Sequence, residues 1–320
     1  MQDAYFATTI ALAAVSAGCA SAAPTATTTR GAAGPQKTPT DLHWNVLTSK
    51  RPGLTRDLPP GNEALSWVAN SSTLIYGERD AVLVDTFLTT EQSKTLVDWV
   101  VASGKNLTTI YITHGHGDHF FGLAPLIERF PHAKAVATRQ VARSMQEYLS
   151  SGRVETFWRK LFPGQIPERL LAAEPLDGDD FELEGRKLVV VNVGWTDTSP
   201  STCLLVPSIG LLVAGDAVYN GIHPYLSETN EHSRLEWISA LDQLEALKPR
   251  AVIAGHKAPG NGDAPSNIGE TRKYLQDFNR LDAETTTARQ LYDGMLKVYP
   301  DRANPGSLWN AANTAKKAHR

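Results

Sequence analysis

The stretch Thr113-His114-Gly115-His116-Gly117-Asp118-His119 places three histidines and an aspartate within seven positions. Neutral imidazole and ionised carboxylate are the donor types that hold zinc, iron or manganese. His114 and His116 stand two apart, so an extended backbone directs both to one side. Glycines 115 and 117 let the chain turn tightly between the ligands. Asp118 alone would read as a helix N-cap, and a lone histidine as an ordinary polar side chain. Four such residues at this spacing predict a metal centre. The chemistry that goes with it is activation of water for attack on a carbonyl.

The elements that must position these ligands follow from apolar periodicity. Residues 80–86, DAVLVDT, read as a buried strand, and 107–113, LTTIYIT, as a strand that ends at the first ligand. A helical pattern covers 89–104, and another covers 118–130 despite Pro125. ALSWVAN and STLIYG are strand-like, as are AKAVAT, DFELEG, KLVVVNV, STCLLV, GLLVAG and RAVIAG. Helices are expected near 139–162, at 233–247 and over most of 266–298. The class is α/β, with strands in two batches and helices around them.

THGHGDH matches the His-x-His-x-Asp-His signature of the metallo-β-lactamase superfamily, and the chain resembles that family from residue 64 to 260. LLVAGD (211–216) looks like the family strand that ends in a metal-bridging aspartate, Asp216. AVIAGH (251–256) looks like the strand that ends in the last histidine ligand, His256. The resemblance implies an αββα sandwich of two mixed sheets, with the metals at one end of the sheets. All the candidate ligands do stand at strand ends. The family has one more histidine, usually followed by Thr, in the loop before the strand bearing Asp216. Here that loop is VGWTDTSPST (193–202), with Trp195 in the histidine's place. Indole nitrogen has no lone pair to offer a metal.

Carried over residue by residue, the family pattern gives a first position of His114, His116 and the missing histidine. The second is Asp118, His119 and His256, with Asp216 bridging. The expectation is one tight ion at the complete second position and a weaker one at the first. Zinc is the expected metal, with iron or manganese as alternatives. Asp197 is a candidate substitute ligand, although a turn or capping role suits it better. Asp118 or Asp216 could accept a proton as well as bind metal, so both are candidate catalytic residues. The expected activity is hydrolysis of an ester, lactone, thioester or related carbonyl substrate. A lyase or dehydratase of the same fold, or a degenerate ligand-binding member, are the alternatives. No Gly-x-Ser-x-Gly occurs, and Cys203 in an apolar strand reads as a buried structural thiol.

Substrate contacts are expected from Trp195 as a pocket wall and from Tyr219, His223 and Tyr225, just beyond Asp216. Aromatic residues between 139 and 172 suggest a helical insertion over the cleft and a small, hydrophobic substrate. Nucleic acid is not an expected partner. The chain carries 31 basic and 34 acidic residues, a formal charge of −3 and no long run of either sign.

The N-terminus stands apart. Residues 4–22 are apolar and alanine-rich, and Ala20-Ser21-Ala22 fits a signal-peptidase site, although Asp3 sits where a positive charge is usual. Ser16-Ala17-Gly18-Cys19 resembles a lipoprotein box. Export is therefore expected, as a secreted protein or a lipoprotein anchored at Cys19, with a cytoplasmic location as the alternative. Residues 23–40 lack large apolar side chains and read as a disordered linker, which leaves 41–320 as a single domain. Cleavage after Ala22 would leave Cys203 as the only cysteine, so no internal disulfide could form. No stretch downstream is apolar for the roughly 20 positions that a membrane span needs.

Overall fold

The structure, a computed structural model, describes residues 41–54 and 57–318. The expected leader (1–22) and linker (23–40) lie outside the described residues. Strand β2 (Trp67–Tyr76) organises the sheet. It pairs antiparallel with β1 (His43–Pro52) along its whole length, from Trp67 opposite Pro52 to Tyr76 opposite His43. Its other edge is divided. Thr73–Tyr76 pair with β3 (Asp80–Val84), and Asn70 makes a single bridge to His256 of β11 (Ala251–Lys257).

Two half-sheets grow from this division. One continues in parallel from β3 through β4 (Asn106–Tyr111), β5 (Lys134–Ala137) and β6 (Glu174–Pro175). The other runs from β11 to parallel β10 (Leu211–Asn220), then antiparallel through β9 (Ser201–Val206), β8 (Arg186–Gly194) and β7 (Asp180–Leu183). Together they form one curled sheet of eleven strands, ten along a single path and β1 beside β2.

ALSWVAN (64–70) and STLIYG (72–77), separate strand-like segments in the sequence, meet at a polar run, Asn70-Ser71-Ser72-Thr73, in the middle of β2. The structure makes them one, because the seam consumes those polar groups. Ser71 Oγ donates to the Ala254 carbonyl, and Ser72 Oγ donates to the Asp85 carbonyl at 2.8 Å. Carbonyls left open where β2 changes partner are thereby satisfied, as buried backbone requires. β1 has no counterpart among the strands read from the sequence, since its burial does not alternate.

Apolar side chains fall into three layers. Val82, Val84 and Tyr111 of the first half meet Leu204, Val206 and Val213 of the second in a shared interior. Outside the first half, α1 (Thr90–Ala102), α2 (Gly117–Phe120), α3 (Leu123–Arg129) and α4 (Arg139–Ser150) bury Leu96, Phe120, Leu126 and Met145. A short α5 (Arg159–Leu161) follows α4. Outside the second half, α6 (Glu231–Ala246), α7 (Ser266–Glu284), α8 (Ala288–Val298) and α9 (Pro305–Ala318) bury Trp237, Leu275, Met295 and Leu308. This is the αββα sandwich that the sequence resemblance implies. The single helix expected over 118–130 is two, because Gly122 N–H leaves the helical ladder for Thr86 Oγ1 at 3.1 Å. None of the described helices is long and apolar enough to cross a membrane.

Leu204 is fully buried between the two half-sheets. Leu204→Ala is expected to lower unfolding stability by about 3 kcal/mol, the usual cost of such a cavity. Urea melts should show a lower midpoint with an unchanged slope.

Candidate metal centre

The seam of the sandwich is where the chemistry-bearing side chains meet. β4 delivers the chain to Thr113, and the loop 112–116 carries His114 and His116 into the opening of α2, which holds Asp118 and His119. Asp216 sits within β10 and His256 within β11, on adjacent parallel strands. Glycines let these backbones approach. A Cβ at Gly255 would collide with Asp216 Oδ1. Gly115 and Gly117 do not adopt left-handed turns. They pack instead, since a Cβ at Gly115 would lie 2.8 Å from Ser144 Oγ, and one at Gly117 would lie 2.5 Å from the Phe121 ring.

Each histidine of the cluster has one ring nitrogen engaged on the outside. His114 Nδ1 lies 3.0 Å from Thr113 Oγ1, His119 Nδ1 lies 3.1 Å from Asp85 Oδ2, and His256 Nδ1 lies 3.1 Å from the Ala69 carbonyl. His116 is turned the other way, with Nε2 3.4 Å from Glu228 Oε2. The opposite nitrogen of each ring faces the interior of the cluster. His116 Nδ1 is 2.9 Å from Asp197 Oδ2, His119 Nε2 is 3.3 Å from Asp216 Oδ1, and His256 Nε2 is 3.1 Å from Asp216 Oδ2. His114 Nε2 is 3.9 Å from Asp197 Oδ2 and 4.0 Å from Asp216 Oδ2.

Two ligand sets result. His114, His116, Asp197 and Asp216 form one, and Asp118, His119 and His256 form the other, with the ligand atoms of each set within 4.8 Å of one another. Asp216 reaches both sets. A cation fits this arrangement on two grounds. Buried His114 Nε2, His119 Nε2, Asp197 Oδ2 and Asp216 Oδ1 all lack a hydrogen bond, a cost that buried polar groups rarely bear. The carboxylates also make the interior favour positive charge. Burial opposes protonation of His116, but Asp197 and Glu228 outweigh it and raise its pKa to about 10. Burial likewise opposes charge on His119, yet Asp216 and Asp85 hold its pKa well above the ordinary value. For Asp216, His256 and His119 overcome burial and keep the carboxyl well below the usual range.

The structure brings all six expected ligands together and decides between Trp195 and Asp197. Trp195 is 38% exposed and does not line the cleft, so it is not the expected pocket wall, whereas Asp197 is fully buried at the first ligand set. Both residues are followed by a threonine, so the sequence pattern alone fits either. Residues two apart would share a side in an extended loop, but 196–200 bend sharply, with Thr196 N–H donating to the Thr198 carbonyl at 2.9 Å. Thr196 Oγ1 donates to Asp197 Oδ1 at 2.9 Å and fixes the carboxylate. Asp197 thus lies in a bend, as a turn role would have it, and also among the residues that could hold a metal.

Four supporting residues go unnoticed in the sequence. Arg51 and Asn70 both donate to Asp118 Oδ2 at 3.0 Å. Asp85, at φ 59, accepts from Thr113 N and Thr113 Oγ1, each at 2.8 Å, while it orients His119. Glu228 accepts from Arg153 Nη2 at 2.9 Å and from Thr198 Oγ1 at 3.2 Å, so it ties the helical insertion to His116. Asp85 stands at a strand end, a position that a sequence pattern can flag. The others arrive from remote elements.

The cluster opens into a cavity of about 420 Å³. Tyr219, His223 and Tyr225 all line it, and Tyr219 O–H also donates to Asp216 Oδ2 at 2.7 Å. From the insertion, Tyr148, Phe157 and Trp158 reach the cavity, while Met145 and Phe162 pack in the core. Cys203 is a buried free thiol.

β10 runs past Asp216 to Asn220, so that ligand does not end its strand as the sequence implies. A curled αββα sandwich with a histidine–aspartate cluster at its seam defines a class of metal-binding proteins. The sequence profile of the metallo-β-lactamase superfamily matches residues 65–256, and the chain belongs to that superfamily. It is similar to the uncharacterized protein YobT of Bacillus subtilis (strain 168), with 31% identity over 144 residues, 45% of this chain and 60% of that one. It matches an atrochrysone carboxyl ACP thioesterase of Pseudocercospora fijiensis at 31% identity over 26% of each chain. A metallo-β-lactamase type 2 of Bacteroides fragilis is 22% identical over 63% of this chain and 72% of that one. The chain thus spans less than two thirds of the first two relatives. Among solved structures, a metallo-β-lactamase family protein from Thermus thermophilus superposes with a TM-score of 0.58 at 22% identity, covering 86% of this chain and 93% of that one. The mono-zinc form of the metallo-β-lactamase FIM-1 from Pseudomonas aeruginosa superposes at 0.52, with 16% identity and coverage of 76% and 97%.

Elemental mass spectrometry on protein purified without chelator separates the two loop residues. Asp197→Ala should lower the metal content per chain, and Trp195→Ala should leave it unchanged. Glu228→Gln keeps the shape but loses the charge that orients His116. A fall of about 10- to 100-fold in metal affinity at that set, read by chelator competition, is the expected outcome.

Proposed function

We propose that this protein is a metal-dependent hydrolase acting on an ester, lactone, thioester or related carbonyl substrate. One observation carries the reading: each histidine of the cluster is held by an outer partner through one nitrogen and turns the other inward. Outer partners of this kind orient ligating histidines and raise their basicity. Such an ion acts as a Lewis acid and lowers the pKa of water toward about 7.

Zinc at both ligand sets is the proposed loading, supported by the mixed imidazole and carboxylate donors. Asp197 gives the first set as many donors as the second has with Asp216, so the weaker first position expected from the sequence is not retained. Asp216 is engaged by Tyr219, His119 and His256, and we assign it to holding the centre. Asp118 lines the cavity and is kept ionised against burial by His119, Arg51 and His256, so it is the proposed proton acceptor. The thioesterase and β-lactamase named among the relatives both hydrolyse carbonyl compounds, which supports the class without choosing the substrate. A degenerate, non-catalytic member loses its main support, since Trp195 does not stand at the ligand position. Export is also proposed, on the apolar segment 4–22 alone.

The test is a screen of p-nitrophenyl esters, lactones and acyl thioesters with the zinc-loaded protein, alongside His119→Ala. Turnover and metal content should disappear together in the variant. Full turnover in His119→Ala would overturn the reading.

A further inference from the structure

The cavity has a polar side that the metal cluster does not use. His223 is fully buried and lines the cavity, and its Nε2 has no hydrogen bond. Its other nitrogen, Nδ1, lies 2.8 Å from Tyr274 OH. Burial raises the Tyr274 pKa strongly, so the phenol keeps its proton. Nδ1 is the acceptor within reach of that O–H, which leaves the imidazole proton on Nε2. Burial lowers the His223 pKa to about 3, so the ring is neutral.

The start of α9 is stitched to the same segment. His223 N–H donates to the Ala303 carbonyl at 2.9 Å, Arg302 Nη1 donates to the Ile222 carbonyl at 3.0 Å, and Ser307 Oγ donates to the Pro224 carbonyl at 3.0 Å. From there one face of α9 runs along the cavity, with Asn310, Asn313, Thr314 and Lys317 in its lining. Their spacing of three, four and seven puts them on one side of a helix. α9 lies beyond residue 256, where the superfamily profile ends.

Charge distinguishes this wall. The three carboxylates that line the cavity, Asp118, Asp197 and Asp216, all belong to the metal cluster. Of the three lining cations, Arg51 is paired with Asp118 at 3.0 Å and Arg153 with Glu228 at 2.9 Å. Lys317 has no ion pair among the described residues. The wall therefore offers an ammonium, side-chain amides and a hydroxyl, with no acidic group of its own.

We propose that this face of α9 is a subsite for a carboxylate on the substrate, bound by Lys317 beside Asn310, Asn313 and Thr314. Leu54, Phe157, Trp158 and Leu161 line the rest of the cavity, so the substrate is an amphiphilic acid rather than a purely hydrophobic molecule. This rests on the cavity being the substrate site of the proposed hydrolase. The ammonium attracts the carboxylate, and the amides supply neutral donors around it.

Calorimetric titration of the zinc-loaded protein with hexanoate and with hexanamide tests the subsite without requiring turnover. Wild-type protein should bind hexanoate about tenfold more tightly, the scale of one charge-assisted hydrogen bond. Lys317→Ala and Lys317→Glu should remove that preference while metal content and hexanamide affinity stay the same. A preference that survives both Lys317 substitutions would mean that the carboxylate binds the metals, and would overturn the subsite. So would the absence of any preference in the wild type. Binding through Lys317 with no turnover of any ester, lactone or thioester would keep the subsite and overturn the hydrolase.

Discussion

Three carboxylates and four imidazoles converge in the interior of this protein, with Asp197 and His119 fully buried. Burying that many ionisable groups is costly unless each charge is paired or holds a metal. The surrounding structure meets this constraint by fixing every imidazole from outside and leaving the free donors pointed at one another. Thr113, Asp85, Ala69 and Glu228 are the outer partners, and they come from four separate parts of the chain.

The same constraint accounts for the seam. β2 gives one edge wholly to β1 and divides the other between β3 and β11, where Asn70 and His256 make a single bridge. A divided edge leaves backbone carbonyls without strand partners. The serines in the middle of β2 satisfy two of them, and Asn70 reaches across to Asp118. An apolar strand of ordinary composition would leave those groups unsatisfied. The polar run therefore serves the fold and the site together. Gly255 serves both too, since any side chain there would displace Asp216.

Beyond the seam, the cavity divides by chemistry. The helical insertion supplies aromatic surface, and α9 supplies neutral donors and one cation. Arg153 and Glu228 connect the insertion to His116. Movement of the insertion would thus be felt by a ligand of the first set. His223 stands between the two regimes, fixed by Tyr274 and by the segment that opens α9.

The α/β class, the clustered ligands of 113–119 and the placement of Asp216 and His256 on their strands were legible in the chain before it folds. These rest on local signals: residue type, a spacing of two, and apolar runs bounded by glycine. The reading of β2 as two strands failed because a polar run ends a strand only when nothing buries and pairs it. The choice between Trp195 and Asp197 needed the folded chain. The bend at 196–200 reverses which residue faces inward, and periodicity describes extended chain alone. Arg51, Asn70 and Glu228 were illegible for a related reason. Their partners lie 67, 48 and 112 positions away, and no spacing rule reaches across such separations. The same holds for α9, whose polar face gains meaning only from the cavity that the fold sets beside it.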